Sequence, residues 1–353
     1  MNKISVGIIF GGVSSEHEVS LQSATAIIKN ISKSKYDVHM IGITKLGKWK
    51  LFSGSIDDIA TGQWENSDLS QEISVATDPE IHGIIVKNSQ EIIKLDVVIP
   101  VLHGKNGEDG TIQGLFEIAG IPYVGCKTLG SAACMDKIFT NIMLDYSGIA
   151  KAKFHWFDKE DFEKDPNKCV LETEKIIEKY PMFVKPANAG SSVGITKVHN
   201  RDELIEGIKT ALKEDRRVLI EETITGKEVE CALLGNSDPI SSVVGEIVPS
   251  NDFYDYEAKY LSENSDLFIP ARIPEEVSDE IRKIAKKAYK VMDCKGLSRV
   301  DFFVQNDTNK VYLNEINTFP GFTSISMYPK LMEKVGIAFE DLIDKLISLA
   351  LEK

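Results

Sequence analysis

Apolar runs alternate with segments of helical period along the first third of the chain. Residues 4–10, ISVGIIF, form a continuous apolar run that predicts a buried strand. The next segment has apolar residues at the helical period: Leu21, Ala24, Ile28 and Ile31. A second apolar run, LDVVIPVLHG, precedes the loop GKNGEDG and the helical segment TIQGLFEIAG. Strands that alternate with helices predict a parallel, doubly wound sheet over residues 1–125, although residues 50–90 are weakly patterned and predict no element.

The pattern changes after Gly125, and two further units are predicted. The first, residues 126–215, has a helical stretch SAACMDKIFTNIMLDYSG, strands MFVK and GITKV around the loop PANAGSSV, and another amphipathic helix. These elements indicate a compact α+β unit. The second, residues 216–353, has strands VLIEE, EVECALLG and ISSVVGEIV, a helix at 276–293, two more strands and a C-terminal amphipathic helix. This order predicts a mostly antiparallel sheet.

Composition narrows the class of protein. The chain has 353 residues, enough for two or three packed lobes, because single cores seldom grow past roughly 250–300 residues. A formal net charge of -13 argues against a nucleic-acid or anionic-membrane partner and favours a small-molecule substrate. The five cysteines are odd in number and show no C-x-x-C spacing, which fits a reducing cytoplasm. No apolar run approaches the ~20 residues of a membrane span.

Two apolar runs near the C-terminal end carry polar interruptions. In RVDFFVQNDTNKVYLNEINTFPG, Asp301 interrupts the first run, and Glu315 and Asn317 interrupt the second. The tract QNDTNK predicts a turn centred near Thr308, which places Asp301 opposite Glu315 in an antiparallel hairpin. Side chains two residues apart share a face, so Arg299 joins the cluster. An ordinary solvated face is the alternative, but aligned carboxylate and amide oxygens favour a Mg²⁺ site.

A loop of small residues offers a candidate phosphate site. The segment VKPANAGSSVG places Lys185 at the end of a strand, followed by backbone N–H groups and two serine hydroxyls, Ser191 and Ser192, that can approach an anion. In a Walker A loop the lysine follows the glycines, whereas here it precedes them. An ordinary glycine-serine turn is the alternative. Lys137, in MDKIF, is a second candidate cation, against the alternative of a solvated surface lysine.

The segment GGVSSEHEVS is a glycine turn followed by a helix start that can accept an anion. Ser15 and Glu18 have the spacing of a capping box, which leaves Glu16 either to bind a substrate ammonium group or to favour the helix dipole. The residues alone favour the dipole. The spacing G-x-G-x-x-G is absent, which argues against a nicotinamide-dependent oxidoreductase.

Two more loops carry candidate residues with weaker patterns. His103 lies near Glu108 and Asp109, but the glycines around them favour a hydrogen-bonded loop over a metal site. The segment FYDYEAKY, residues 253–260, has three tyrosines and Lys259. Such an aromatic loop is either a lid or a packed surface crossing.

Taken together, these segments resemble the D-alanine:D-alanine ligase family of the ATP-grasp superfamily. The matching motifs occur in the family's order and cover nearly the whole chain except about residues 45–90. They are GGVSSEHEVSLQSA, HGKNGEDGTIQGLFEIAGIPYVG, MDK, FVKPANAGSSVGITKV, FYDYEAKY, GLSRVDFFV and LNEINTFPGFTSISMYP.

The resemblance implies a three-lobed ATP-grasp fold of α/β and α+β type. Residues 1–125 would form a Rossmann-like substrate lobe, 126–215 a central lobe and 216–353 a C-terminal lobe, with ATP between the last two. The implied cofactors are ATP and Mg²⁺ or Mn²⁺, with two ions expected. Their ligands would be Asp301, Glu315 and Asn317.

The resemblance also implies a role for each remaining candidate residue. The residues that would contact ATP are Lys137, Lys185 and Lys259 at the phosphates, Glu221 at the adenine and Glu228 at the ribose. Glu16 would bind the ammonium group of the first D-alanine, with Ser191 and Tyr260 linked to it, and His103 would lie near the same substrate. For Glu16, this implied role replaces the interpretation as a residue that favours the helix dipole. Arg299 would stabilise oxyanion charge, and Gly321 with Ser326 would position the second D-alanine.

The implied reaction is the ATP-dependent ligation of two D-alanine molecules through a D-alanyl phosphate, for peptidoglycan precursor synthesis. A cytoplasmic homodimer is expected from the family. Relatives accept D-lactate or D-serine as second substrate; the stretch EAKY resembles that of the dipeptide-forming members, and D-serine stays open as the alternative. A nucleotide-binding protein without turnover would lack a metal ligand or a phosphate lysine, and this sequence has all of them.

Overall fold

The computed structural model describes residues 3–190, 193–248, 266–323 and 325–352. Their strands form three sheets, of seven, four and five strands. This confirms the three-lobed α/β and α+β fold expected from the sequence. The lobe boundaries at residues 125 and 215 remain a prediction.

The first sheet is mixed, with strand order β6-β5-β4-β3-β2-β1-β7. Its strands are β1 (Ile4–Gly11), β2 (Tyr36–Ile43), β3 (Trp49–Phe52), β4 (Ser70–Val75), β5 (Gly83–Val86), β6 (Ile92–Lys94) and β7 (Val97–Pro100). The predicted parallel arrangement is confirmed where β1 pairs with β2 and β7. From β2 to β6 every pairing is antiparallel. The weakly patterned residues 50–90 therefore extend the sheet with short strands that the sequence did not predict.

Three α-helices accompany the first sheet: α1 (His17–Asn30), α2 (Ile56–Ala60) and α3 (Thr111–Ala119). A 3-10 turn at Gln63–Asn66 follows α2. The capping box predicted from Ser15 and Glu18 is wrong, because α1 starts one residue later, with Glu16 at the N-cap and no side-chain cap. Ser14 Oγ instead accepts a hydrogen bond from the Glu16 N–H at 3.1 Å, and the Glu18 carboxylate pairs with Lys45.

The second sheet is antiparallel, with strand order β10-β9-β11-β8. Its strands are β8 (Phe154–Asp158), β9 (Met182–Pro186), β10 (Thr196–Val198) and β11 (Arg217–Glu222). Its helices are α4 (Thr128–Met135), α5 (Lys137–Tyr146), α6 (Lys159–Lys164), α7 (Pro166–Ile177) and α8 (Arg201–Glu214). The strand VLIEE was predicted to belong to the third lobe, but this strand, β11, is buried in the middle of the second sheet between β9 and β8.

The third sheet is antiparallel as predicted, with strand order β14-β13-β12-β15-β16. Its strands are β12 (Gly226–Leu234), β13 (Ile240–Val248), β14 (Asp266–Phe268), β15 (Leu297–Gln305) and β16 (Val311–Asn317). Its helices are α9 (Glu275–Val291), α10 (Met327–Lys334) and α11 (Phe339–Ala350). No helix in the described parts of the chain is long and apolar enough to cross a membrane.

One hydrophobic cluster joins the first and third sheets. It includes Val6, Ile8 and Phe10 of β1 together with Phe322, Tyr328 and Leu342 from the C-terminal segment, all of them fully buried. The second sheet has a separate cluster, which includes Val184, Ile208 and Ile220. The first and third sheets therefore share a core, while the second sheet packs mainly within its own lobe.

Candidate active site

A polar cavity lies where residues from all three lobes meet. Seven of the predicted site residues line it: Glu16, His103, Lys137, Arg299, Glu315, Asn317 and Gly321. Gly190 of the small-residue loop and Glu108 line it as well. Asp301 and Glu228 line an adjacent cavity, to which Glu315 also contributes. Residues more than 300 positions apart in the sequence thus reach one region, as the resemblance implies.

The hairpin β15–β16 has the predicted register at its polar end. Asp301 faces Glu315, and Arg299 faces Asn317. The register shifts by one residue immediately beyond Asp301, where Asn314 forms a β-bulge that the sequence did not predict. The Asn317 amide nitrogen lies 2.9 Å from Asp301 Oδ2 and 3.5 Å from Glu315 Oε1. The three predicted ligand side chains are therefore neighbours.

These three side chains fit a divalent cation by the chemistry of their donor atoms. Two carboxylates and an amide supply hard oxygen atoms, which Mg²⁺ and Mn²⁺ prefer over nitrogen and sulfur ligands. Within residues 3–190, 193–248, 266–323 and 325–352, no group of three or more His, Cys, Asp or Glu side chains is arranged for a metal. The candidate set has two carboxylates, and its third donor is an amide.

Arg299 is fixed beside this cluster by two acidic side chains. Its Nε and Nη2 donate to the two carboxylate oxygens of Asp301, both at 2.7 Å, in a bidentate pair. Its Nε also lies 3.0 Å from Glu230 Oε2, on the neighbouring strand β12. Glu230 was not among the predicted site residues, although an acidic residue within the apolar run of EVECALLG was the available signal. The guanidinium is held at the cavity wall by planar, charge-assisted contacts.

The second lobe presents two lysines beside the small-residue loop. Lys185 Nζ lies 2.6 Å from Glu221 Oε2, and Asn141 donates to the other oxygen of Glu221 at 3.1 Å. Lys137 Nζ donates to the Ala189 carbonyl at 2.7 Å. Two of the three predicted phosphate lysines, Lys137 and Lys185, thus contact residues of the second lobe, and Lys185 pairs with the predicted adenine residue.

The Glu16 carboxylate is buried between two glycine backbones. A Cβ atom placed on Gly104 would lie 2.1 Å from Glu16 Oε2, and one placed on Gly190 would lie 2.4 Å from the same oxygen. Only glycine leaves room for the carboxylate in this position. Gly104 also has a φ of +69°, a backbone conformation that favours glycine. Glu16 therefore connects the first lobe with the small-residue loop of the second.

Glu108 links the first lobe to the segment that follows β16. Its carboxylate accepts hydrogen bonds from the N–H groups of Gly104 at 2.8 Å and Phe319 at 3.2 Å. Burial, and then the negative charge of Glu16, raise the pKa of Glu108 to about 8. The predicted hydrogen-bonded loop around Glu108 is confirmed, but the position of Glu108 in the cavity wall was not predicted.

His103 is buried and neutral. Its Nδ1 lies 3.2 Å from the Phe319 carbonyl, which can only accept, so Nδ1 carries the proton. Its Nε2 then accepts from Ser23 Oγ at 3.1 Å, and Ser23 Oγ accepts from the Phe322 N–H at 3.3 Å. Burial lowers the pKa of His103 to about 4. The imidazole is thus a fixed hydrogen-bonding group between the first and third lobes.

Among the described residues, Ser326 is a predicted site residue that does not line this cavity. Ser326 precedes α10, where its Oγ accepts from the Thr323 N–H at 3.0 Å, and it does not line the cavity that contains Gly321. Ser191, Lys259 and Tyr260 lie outside the described residues.

Three sheets arranged around this cavity, with a lysine-bearing loop opposite a carboxylate-bearing hairpin, define an ATP-grasp protein. Family models described as D-ala D-ala ligase N-terminus and D-ala D-ala ligase C-terminus match residues 5–126 and 143–348. The chain belongs to the D-alanine:D-alanine ligase family.

Individual relatives agree over the full length. Proteins named D-alanine--D-alanine ligase from Acetivibrio thermocellus and Caldicellulosiruptor bescii are 54% and 51% identical, over 100% of this chain and 97% and 96% of their own lengths. The solved VanG D-Ala:D-Ser ligase from Enterococcus faecalis is 43% identical, with a TM-score of 0.90 over 99% of this chain and 100% of its own. The D-alanine-D-alanine ligase from Coxiella burnetii is 33% identical, with a TM-score of 0.88 over 99% and 94%.

Proposed function

We propose that this protein joins two D-alanine molecules into D-alanyl-D-alanine at the expense of ATP, as an ADP-forming ligase for peptidoglycan synthesis. Full-length relatives with the name D-alanine--D-alanine ligase support this reaction. The observation that carries the proposal is the convergence of Glu16, Lys137, Arg299, Glu315 and Asn317 on one cavity. This cavity combines groups for an amino acid, a nucleotide and a metal.

The nucleotide would be held between the second and third lobes. Family membership implies the use of ATP and a divalent metal. The proposed phosphate contacts are Lys137, Lys185 and Lys259, and Glu221 and Glu228 are proposed to bind adenine and ribose. Asp301, Glu315 and Asn317 would hold Mg²⁺ or Mn²⁺, with two ions expected. The metal supplies charge neutralisation at the phosphate that is transferred.

The amino acids would bind on the side of the first lobe. We assign the ammonium group of the first D-alanine to Glu16, with Ser191 and Tyr260 linked to it and His103 nearby. The buried position of the Glu16 carboxylate supports this assignment, because a charge in such a site is stabilised by an opposite charge. Gly321 and Ser326 would position the second D-alanine.

The reaction would proceed in two balanced steps. The carboxylate of the first D-alanine attacks the γ-phosphorus of ATP, the bond to the bridging oxygen breaks, and ADP leaves as D-alanyl phosphate forms. The deprotonated amine of the second D-alanine then attacks the activated carbonyl carbon. The tetrahedral oxyanion is stabilised by Arg299, collapses to the peptide bond and expels phosphate. The paired geometry of Arg299 keeps its charge in place without reorganisation.

The second substrate is tested by competition, because the solved neighbour VanG is a D-Ala:D-Ser ligase. The protein is incubated with ATP, Mg²⁺ and an equimolar mixture of D-alanine, D-serine and D-lactate at neutral pH, and the products are identified by mass spectrometry. D-Alanyl-D-alanine is expected as main product. A predominance of D-alanyl-D-serine or D-alanyl-D-lactate would establish the alternative ligase. No ADP release with any acceptor would reject the ligase function itself.

Three further features are proposed from the family alone. They are a homodimeric assembly, a cytoplasmic location and the division into lobes 1–125, 126–215 and 216–353, in which the boundary at 215 has to move past β11 because that strand belongs to the second sheet. Light scattering of the purified protein tests the first; a monomer at micromolar concentration would contradict it.

A further inference from the structure

Asp136 lies between α4 and α5, immediately before Lys137, and its side chain is 8% exposed. Its Oδ1 accepts hydrogen bonds from the N–H groups of Ile138 at 3.0 Å and Phe139 at 3.1 Å. Asp136 therefore caps α5 and satisfies two donors that the first turn of a helix leaves unpaired. This contact fixes the residue at which the helix begins, and Lys137 is its first residue.

The other carboxylate oxygen of Asp136 contacts two different segments. Asp136 Oδ2 forms an ion pair with Arg217 of β11 and accepts from Asn188 Nδ2 at 3.1 Å. Asn188 belongs to the small-residue loop after β9. The helix cap uses only the first oxygen. The second oxygen has a different structural role, because it joins the start of α5 to the loop and to the inner strand β11 of the second sheet.

The loop and the start of α5 are also joined by backbone groups. The Lys137 N–H donates to the Ala187 carbonyl at 3.0 Å, and Lys137 Nζ donates to the Ala189 carbonyl at 2.7 Å. Asn188 is held from its other side by Asp215 Oδ2, which accepts from its N–H at 2.7 Å and from its Nδ2 at 3.1 Å. The part of the loop up to Gly190 is thus held against Lys137 by direct contacts, and Asp136 adds a further link through Asn188.

We propose that Asp136 is a positioning residue for nucleotide binding, which fixes the small-residue loop and Lys137 relative to each other through Arg217 and Asn188. The inference rests on the proposed function, in which Lys137 and this loop hold the phosphates of ATP. Asp136 itself touches no substrate. Loss of its negative charge removes the ion pair with Arg217 and weakens the contact with Asn188, so the loop and Lys137 are held less firmly relative to each other.

The test is Asp136→Asn, which keeps an oxygen for the helix cap and removes the charge. The KM for ATP and the Kd for a non-hydrolysable ATP analogue are expected to rise by about tenfold, because small misplacements of binding groups are costly. The KM for D-alanine at saturating ATP is expected to change less than about twofold. The matched control is Asp165→Asn, because Asp165 caps α7 in the same lobe by accepting a hydrogen bond from the Lys168 N–H at 3.0 Å. The kinetic constants of this variant are expected to match those of the wild type.

A second variant keeps the inference testable if Asp136→Asn does not fold. Asn188→Ala alters an exposed side chain and is expected to raise the Kd for the analogue in the same direction; in the double variant the two increases should be less than multiplicative. Unchanged analogue affinity in both folded variants would overturn the inference. Because analogue binding needs no turnover, a failure of the ligase reaction in the wild type would reject the proposed function separately.

Discussion

Asp301 and Glu315 face each other across β15 and β16, and Asn317 contacts both side chains. We expect Glu315→Gln to lower kcat by about 100-fold or more, because an amide replaces a carboxylate that we propose as a metal ligand. The melting temperature should change by less than about 2 °C, because Glu315 is only partly buried. The measurements are ADP release and thermal unfolding. Asp307→Asn, in the exposed turn of the same hairpin, is the control and should retain normal turnover.

The buried imidazole of His103 makes the unfolding free energy of the protein depend on pH. Its pKa is about 4 in the folded protein and 6.5 ordinarily, so the unfolded chain takes up this proton first as the pH falls. Stability from this residue is therefore present above pH 6.5 and is lost as the pH falls from 6.5 to 4. Between pH 7.5 and 5 the wild type should lose about 2 kcal/mol more unfolding free energy than His103→Gln.

This difference is measured by urea unfolding at both pH values. Glu108 acts in the opposite sense, because its raised pKa favours the folded state at low pH, but it is present in both proteins and largely cancels in the difference. Equal pH dependence of the two proteins would show that His103 is not kept neutral by burial.

The small-residue loop after β9 depends on the absence of a side chain at Gly190. A methyl group there would meet the Glu16 carboxylate at 2.4 Å. We expect Gly190→Ala to displace this carboxylate and to raise the KM for D-alanine about tenfold, with a smaller effect on the KM for ATP. Gly114→Ala, in α3, is the control because nothing lies within 4 Å of its added methyl group. Its kinetic constants should not change, and a normal KM in Gly190→Ala would argue against the proposed role of Glu16.

Elements with a strong apolar pattern could be predicted from the sequence, and those defined by tertiary pairing could not. The facing positions of Asp301 and Glu315 followed from strand alternation and the polar turn, whereas the bulge at Asn314 has no signal in a single sequence. Strands β3 to β6 are three to six residues long and partly exposed, so their pattern is short and weak. Strand β11 was recognised as a strand, but its partners β8 and β9 depend on long-range contacts.

The candidate site shows the same limit. Lys137, Lys185 and the hairpin residues stood out as polar groups in apolar or glycine-rich surroundings. Asp136 did not, because an acidic residue before a helix is ordinary. Glu108 was noted beside His103 but assigned to a hydrogen-bonded loop, and only the folded chain shows which segments each carboxylate joins.

At the scale of the whole molecule, the first and third sheets share one apolar cluster, and the second sheet has its own. We expect Ile208→Ala, in α8, to weaken amide-exchange protection in the second sheet and to leave the other two sheets nearly unchanged. Leu342→Ala, in α11, should weaken protection in both the first and third sheets. Both residues are fully buried, and each change should cost about 2–5 kcal/mol locally. Hydrogen exchange measured by mass spectrometry distinguishes the two responses; a uniform loss in Ile208→Ala would contradict separate packing.

The shared cluster also bears on how the chain is made. Strand β1 leaves the ribosome first, but Phe322, Tyr328 and Leu342, which complete its core, are translated last. Because translation proceeds at roughly 5–20 residues per second, the apolar face of the nascent first sheet stays uncovered for tens of seconds before these residues are made. During that interval the growing polypeptide exposes an apolar surface of the kind that chaperones bind, and the first lobe completes its packing only after residues 322–342 have been translated.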